Sequence, residues 1–321
     1  MLIAHWDGRS WQELRPPPGF RFSGLREPIG DSVAALSGSY SWAFVHSDVA
    51  SASAVESFAL LRRNRTWRTV RLANGVTISS SVAFSPANAW AFGSLQPSLF
   101  SGFIYAYGAH FDGQRWRRVP MPVLPQGTSS PAPRNIWAVG PLAKDVNKFF
   151  PQPYALARWT GVWRTIAFPP LIAPIGGGFA NASVVPAGPH GAWVAADLAV
   201  QNADGSLSTV GIALLHWTGS RWINIKVPFK SAGIGPMSRD GHGGLWIEAT
   251  IADNPCFYCD NVEMLHYNAG QWSKTLLPIA GLTVTGMRLI PGTQSVWASG
   301  TGVAVPGGEG DTVGVVLKYG P

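Results

Sequence analysis

Short runs of alternating hydrophobic and polar residues, separated by turns rich in Gly, Pro, Asn and Ser, fill this chain from end to end. A period of two is the signature of strands with one buried face. No window places apolar residues at i, i+3, i+4 and i+7, so no helix is predicted. The runs form two kinds of hairpin. In the first kind, residues 81–93 give a short apolar run, a Ser85-Pro86 turn, then Trp90-Ala91-Phe92-Gly93. Pro presets the turn's φ and Asn88 tolerates its unusual conformations. Ile136-Trp137-Ala138-Val139-Gly140 and Val296-Trp297-Ala298-Ser299-Gly300 are equivalents. Alternation puts the Trp and the residue two later on one face. In the second kind, Trp217 and Trp222 flank a four-residue loop containing Gly219 and pair across the strands. The pairs Trp6/Trp11, Phe111/Trp116 and Tyr267/Trp272 repeat this, and Trp159/Trp163 has a loop one residue shorter. The unit at 57–72 departs, with Arg62 at the first aromatic position.

The two hairpins alternate, giving strands a, b, c and d per unit. Trp42, Trp90, Trp137, Trp193, Trp246 and Trp297 open strand b at spacings of 48, 47, 56, 53 and 51 residues. Trp11, Trp67, Trp116, Trp163, Trp222 and Trp272 open strand d at spacings of 56, 49, 47, 59 and 50. A period near fifty with two aromatic landmarks marks a repeated supersecondary module. One small four-stranded sheet cannot bury both faces, whereas radial stacking of several sheets buries them and leaves only short edges. Each buried Trp then covers roughly 150–250 Å².

These units resemble β-propeller blades of the kelch-like kind: an aromatic in strand c, a Trp in strand d, and a single Gly after strand b at Gly93, Gly140 and Gly300 in place of the kelch double glycine. The segment from Arg239 to Trp246 is similar to the blade motif of two-component regulator propellers. The Asp7-Gly8 and Asp112-Gly113 turns resemble the Asp-box of sialidase-type propellers, one residue short. The resemblance spans the whole chain and implies an architecture without singling out one family. The expected fold is all-β: a single β-propeller domain over 1–321 with six four-stranded antiparallel blades. Their approximate limits are 31–72, 79–120, 128–168, 181–227, 234–277 and 284–319, the last closed by 1–15. If further residues preceded Met1, seven blades would be expected.

Charge changes the picture little. The net charge is +7, from 18 Arg, 6 Lys and 17 acids, but the arginines scatter along the second hairpins without dense basic runs. No nucleic-acid partner is therefore expected. No stretch of 18 apolar residues suggests a membrane span, and no signal peptide is visible. The only cysteines, Cys256 and Cys259, share one loop. They are too few for a four-cysteine zinc site and are read as a disulfide candidate, which favours an extracytoplasmic or secreted location. The cytoplasm stays open, and a monomer is expected.

In a propeller the b–c and d–a connections share one face. The b–c loops at 46–56, 94–105, 141–153, 198–211, 250–261 and 301–313 are long, and binding usually sits on elaborated loops over a rigid scaffold. Ten of the seventeen acids fall in these loops and their strand ends, so an acidic, loop-rich face is expected. Phe103, Tyr105 and Tyr258 are candidate ligand contacts on it, with Asp197 at a strand end. Glu248 occupies a position filled elsewhere by Phe44, Phe92, Val139, Ala195 and Ser299. A carboxylate there is costly unless paired, and Arg288 in the next unit is the expected partner; the alternative is a ligand site on the central axis, with Glu248 and Arg288 as contacts and Glu248 as acid/base. His5, His110, His216 and His266 form one repeat position, read as packing. His190 and His242 sit in a–b turns, on the face expected to carry no function. No catalytic residue and no metal ligand is assigned. No cofactor is predicted, since Ca²⁺ needs six or more oxygens and no EF-hand-like spacing exists. The expected function is a non-enzymatic binding or scaffold propeller recognising a protein or glycan through the b–c loop face. The alternatives are a propeller glycosidase or lyase with an axial pocket, and the sensor domain of a larger signalling protein.

Overall fold

The structure is a computed structural model that describes residues 3–6, 11–14, 28–37, 39–47, 55–64, 66–98, 102–169, 177–229, 233–250, 262–277, 282–290, 292–303 and 312–320. It is an all-β propeller of six antiparallel blades, as the repeat predicts. No helix occurs among the described residues, so none is long and apolar enough to cross a membrane.

Strands β1 (Ile3–Trp6) and β2 (Trp11–Leu14) form a two-stranded sheet. Blade one is β3 (Pro28–Ser37), β4 (Tyr40–Ser47), β5 (Ser57–Arg63) and β6 (Thr66–Arg71). Blade two is β7 (Val76–Ser85), β8 (Asn88–Leu95), β9 (Tyr105–Phe111) and β10 (Trp116–Arg118). Blade three is β11 (Gly127–Ala132), β12 (Asn135–Pro141), β13 (Tyr154–Trp159) and β14 (Trp163–Ala167). Blade four is β15 (Gly177–Ala187), β16 (Gly191–Gln201), β17 (Leu207–Trp217) and β18 (Trp222–Ile225). Blade five is β19 (Gly233–Arg239), β20 (Leu245–Thr250), β21 (Val262–Asn268) and β22 (Gln271–Leu276). Blade six has, among the described residues, three strands, β23 (Thr283–Leu289), β24 (Val296–Val303) and β25 (Thr312–Tyr319).

The chain divides into two compact units: Met1–Lys148 with Ala155–Ile166, and Phe149–Tyr154 with Ala167–Pro321. The first carries blades one to three and the second blades four to six. Within each, the first strands pack side by side: β3 on β7 and β7 on β11, then β15 on β19 and β19 on β23.

The period of two explains the core. On β8, Ala89 and Ala91 face blade one, while Trp90 and Phe92 face blade three. On β20, Leu245, Ile247 and Ala249 face blade four, while Trp246 faces blade six. Each strand b thus feeds two interblade cores from opposite faces. The strand-b indoles of blades one to five are buried. Trp297, expected to match them, is 43% exposed.

The residue across from the strand-b Trp covers the indole. His110 lies opposite Trp90, His216 opposite Trp193 and His266 opposite Trp246. His216 and His266 stack at 4.0 and 3.9 Å between ring centroids, and in blade three the Arg158 guanidinium sits 4.9 Å from the Trp137 ring centroid. The histidine repeat has a packing role.

Strand a bulges in most blades, and there the repeat glycine matters. Ile78 pairs with Gly93 and Val284 with Gly300, and the register then slips by one residue. A Cβ at Gly93, Gly140 or Gly300 would collide with backbone atoms at Thr77, Leu124 or Thr283.

Candidate functional site

Two of the predicted residues come together in the second unit. In blade four the register passes from Phe179↔Leu198 to Ala182↔Ala196, so Asp197 faces a bulge. In blade five it passes from Ile234↔Ala249 to Met237↔Ile247, so Glu248 faces the bulge at Gly235 and Pro236. A bulge sets two residues against one and opens room on the opposite strand. Each of these two openings is filled by a carboxylate.

The bulged start of β19 lies between them. Asp197 Oδ1 accepts the Ile234 N–H at 2.7 Å. Asn181 Nδ2 donates to the Ile234 carbonyl at 3.2 Å, and Ser183 Oγ to the Gly235 carbonyl at 3.1 Å. The Glu248 carboxylate packs over Gly235 in the space that a Cβ would take. It has no hydrogen-bond or ionic partner among the described residues.

Both acids are deeply buried, Glu248 at 5% and Asp197 at 7% exposure. Burial pushes the Asp197 pKa up to about 6, with the Ile234 N–H pulling the other way. Burial, reinforced by the neighbouring Asp197 charge, pushes Glu248 up to about 7. Neither acid meets a cation among the described residues, and near neutral pH the pair retains a proton. Such a pair can donate and accept protons at physiological pH, which is the property of a general acid.

The expected partner of Glu248 is corrected by this geometry. Arg288 is exposed on β23, paired across the ladder with Trp297, and forms no ion pair with Glu248. The bulge between Val284 and Gly286 fixes which face of β23 it occupies. Glu248 instead answers to Asp197, a second acid.

Phe103, at the end of the b–c loop of blade two, and Tyr105, the first residue of β9, lie in the first unit at 55% and 44% exposure with Ile104 between them. The loop is pinned by Asn147 from the b–c loop of blade three. Asn147 Oδ1 accepts the Ile104 N–H at 2.9 Å, and its Nδ2 donates to the Ile104 carbonyl at 3.0 Å. A side-chain amide thus replaces one rung of a β ladder. The Asn147 turn is itself held by main-chain bonds from Asp145 N–H to Leu142 and from Lys148 N–H to Asp145, with Lys148 Nζ 2.5 Å from the Asp145 carboxylate. Tyr258, Cys256 and Cys259 lie outside the described residues. Among the described residues no three His, Cys, Asp or Glu side chains group as metal ligands.

No protein-family model matches the chain, and no curated protein matches it. Several solved structures share its fold. The α-L-arabinanase of Penicillium chrysogenum, complexed with arabinobiose, has 11% identity and a TM-score of 0.55 over 94% of this chain and 95% of its own. The GH93 α-L-arabinofuranosidase of Fusarium graminearum has 12% identity and a TM-score of 0.51 over the same shares. The β-propeller domain of the Trilobed protease from Pyrococcus furiosus has 10% identity and a TM-score of 0.51 over 90% of this chain and 82% of its own. At these identities the likeness shows the propeller fold alone.

Proposed function

We propose that this chain is a non-enzymatic binding propeller that recognises a protein or glycan through its b–c loop face, with Phe103, Ile104 and Tyr105 as contact residues. The supporting observation is the clamp by Asn147. Exposed aromatics are common on surfaces; an exposed apolar tripeptide tied down at its centre by two hydrogen bonds is a preorganised one. Preorganisation lowers the entropy lost on association, and aromatic anchors carry most of the energy in small interfaces. The loop pair Cys256 and Cys259 supports placing the protein outside the cytoplasm.

A glycan array and a displayed-peptide library, each probed with the wild-type chain, supply ligands for the test. Phe103→Ala with Tyr105→Ala is expected to weaken them by about 2 kcal/mol or more, roughly thirtyfold. Ligands bound equally well by wild type and the double variant would refute the assignment to this loop.

One observation favours a second reading, a glycosidase or lyase: the buried Asp197–Glu248 pair, poised to exchange protons near neutral pH. In that case a panel of polysaccharides, arabinan included, contains a substrate, and Glu248→Gln abolishes the release of reducing ends. Absence of turnover across the panel, or turnover that survives Glu248→Gln, rejects it.

A further inference from the structure

The a–b turns of blades four, five and six, expected to be plain connections, enclose a cleft of about 540 Å³ in the second unit. Small-molecule pockets span roughly 300–1,000 Å³. Arg239, His242 and Thr293 stand on its rim, and Trp193 and His216 line its side.

Three features set its chemistry. Arg239 is exposed and forms no ion pair or side-chain hydrogen bond among the described residues, so a permanent cation faces the cleft uncompensated. The His242 imidazole is exposed beside it, and only its main-chain N–H is engaged, donating to Asp240 Oδ1 at 2.8 Å.

The acid of this turn is taken out of play. Asp240 is fully buried and does not line the cleft. Its Oδ1 also accepts the Gly244 N–H at 2.7 Å, and its Oδ2 lies 3.0 Å from His266 Nε2. Burial alone would raise its pKa, but the bonds from His242, His266 and Gly244 together hold the carboxyl below the usual range. Asp240 shapes the turn, and no carboxylate lines the cleft.

The third feature is an aromatic stack in the lining. His216 lies on Trp193 with ring centroids 4.0 Å apart and planes at 17°. Burial lowers the His216 pKa, which keeps the imidazole neutral at neutral pH. A neutral two-ring stack beside a free guanidinium suits a ligand with a ring body and one anionic group.

We propose that this cleft binds a small acidic sugar of the hexuronate type, with Arg239 pairing the carboxylate and the His216–Trp193 stack supporting the ring. Arginine is the side chain best matched to a carboxylate, through two parallel hydrogen bonds. Aromatic faces accept the apolar side of a sugar, and the Thr293 and His242 side chains supply hydroxyl and imidazole partners at the rim.

Isothermal titration calorimetry with glucuronate tests this, using glucose as the uncharged match and inorganic phosphate as the bare anion. Glucuronate is expected to bind in the millimolar range, with glucose at least roughly tenfold weaker, since one charged hydrogen-bonded pair is worth about that factor or more, and phosphate weaker as well, since it makes no contact with the stack. Arg239→Gln, at an exposed position that leaves folding intact, is expected to lower glucuronate affinity roughly tenfold to a hundredfold. The Phe103→Ala, Tyr105→Ala double variant is expected to bind glucuronate as wild type does. Equal affinity for glucose and glucuronate would remove the anion from the proposal, and equal affinity for phosphate and glucuronate would remove the ring; either result overturns it. No heat with glucuronate at tens of millimolar, or unchanged affinity in Arg239→Gln, overturns it as well.

Discussion

Blades one to three and blades four to six are built on one repeat, yet they differ two residues after the strand-b Trp. The first unit has Phe44, Phe92 and Val139 there; the second has Ala195, Glu248 and Ser299. That position governs what the strand-d Trp of the following blade can reach. In the first unit Trp116 packs edge-on against Trp42 and Phe44 at 5.2 and 5.5 Å, and Trp163 edge-on against Phe92 at 6.5 Å. Their indole N–H groups are buried and find no acceptor among the described residues. In the second unit Trp272, which follows Ala195, donates to the Lys226 carbonyl at 3.1 Å. A ring at the repeat position yields an apolar interblade core with orphaned donors. A small or polar residue lets the indole find backbone, and makes room for ionisable groups.

Replacing the ring should cost most. Phe92→Ala is expected to destabilise by roughly 3–5 kcal/mol, through lost burial and a cavity between blades two and three. Ala195→Phe, which installs the first unit's residue in the second, is expected to cost only about 1–3 kcal/mol, as overpacking. Chemical denaturation followed by Trp fluorescence measures both. Comparable costs at the two sites would mean that this position does not distinguish the units.

The carboxylate pair gives the next largest effect, and its direction is set by the raised pKa values. Both acids bind protons more tightly folded than unfolded, so folding is favoured at low pH, and stability falls as pH rises from about 4 towards 7. Glu248→Gln is expected to stabilise the protein by on the order of 2 kcal/mol at about pH 8 and to have little effect near pH 4. Denaturation midpoints across that range test it, and a variant less stable than wild type at the alkaline end would contradict it. Asp240 should behave oppositely. Its carboxyl is held below the usual range, so its contribution is present at neutral pH and lost as pH falls below the usual carboxylate range. Asp240→Asn is expected to cost about 1–3 kcal/mol at neutral pH.

The smallest effect is the sharpest comparison. Trp272→Phe removes an indole donor that has an acceptor, and Trp116→Phe removes one that has none. Beyond the shared loss of ring area, the first is expected to cost about 1 kcal/mol more. Equal costs would show that the Lys226 bond contributes nothing to stability.

The propeller was legible because a Trp every fifty residues on an alternating strand has few places to go. Glu248 stood out for a related reason: its equivalents are Phe, Val, Ala and Ser, so a charge there breaks the pattern. Its neighbour was not legible. Sequence order suggested Arg288, in the next strand a, whereas the match with Asp197 depends on two bulges that shift register in β15 and β19, and spacing alone does not reveal a bulge. The cleft was hidden differently. Arg239 and His242 read as ordinary turn residues, and only the inward rotation of Asp240 leaves their side of the turn without an acid. The aromatic loop fell between these cases: Phe103 and Tyr105 were visible as aromatics in a long loop, but the clamp comes from Asn147, forty-three residues on in the next blade.

The glycine three residues after the strand-b Trp carries a consequence for anyone reading variation in this chain. At Gly93, Gly140 and Gly300 every side chain, alanine included, meets nearby main-chain atoms. In a saturation-mutagenesis map those three columns would be blank, each three residues after a strand-b Trp. A reader without the geometry would take them for a recognition signature, when they record only how closely two backbones pass.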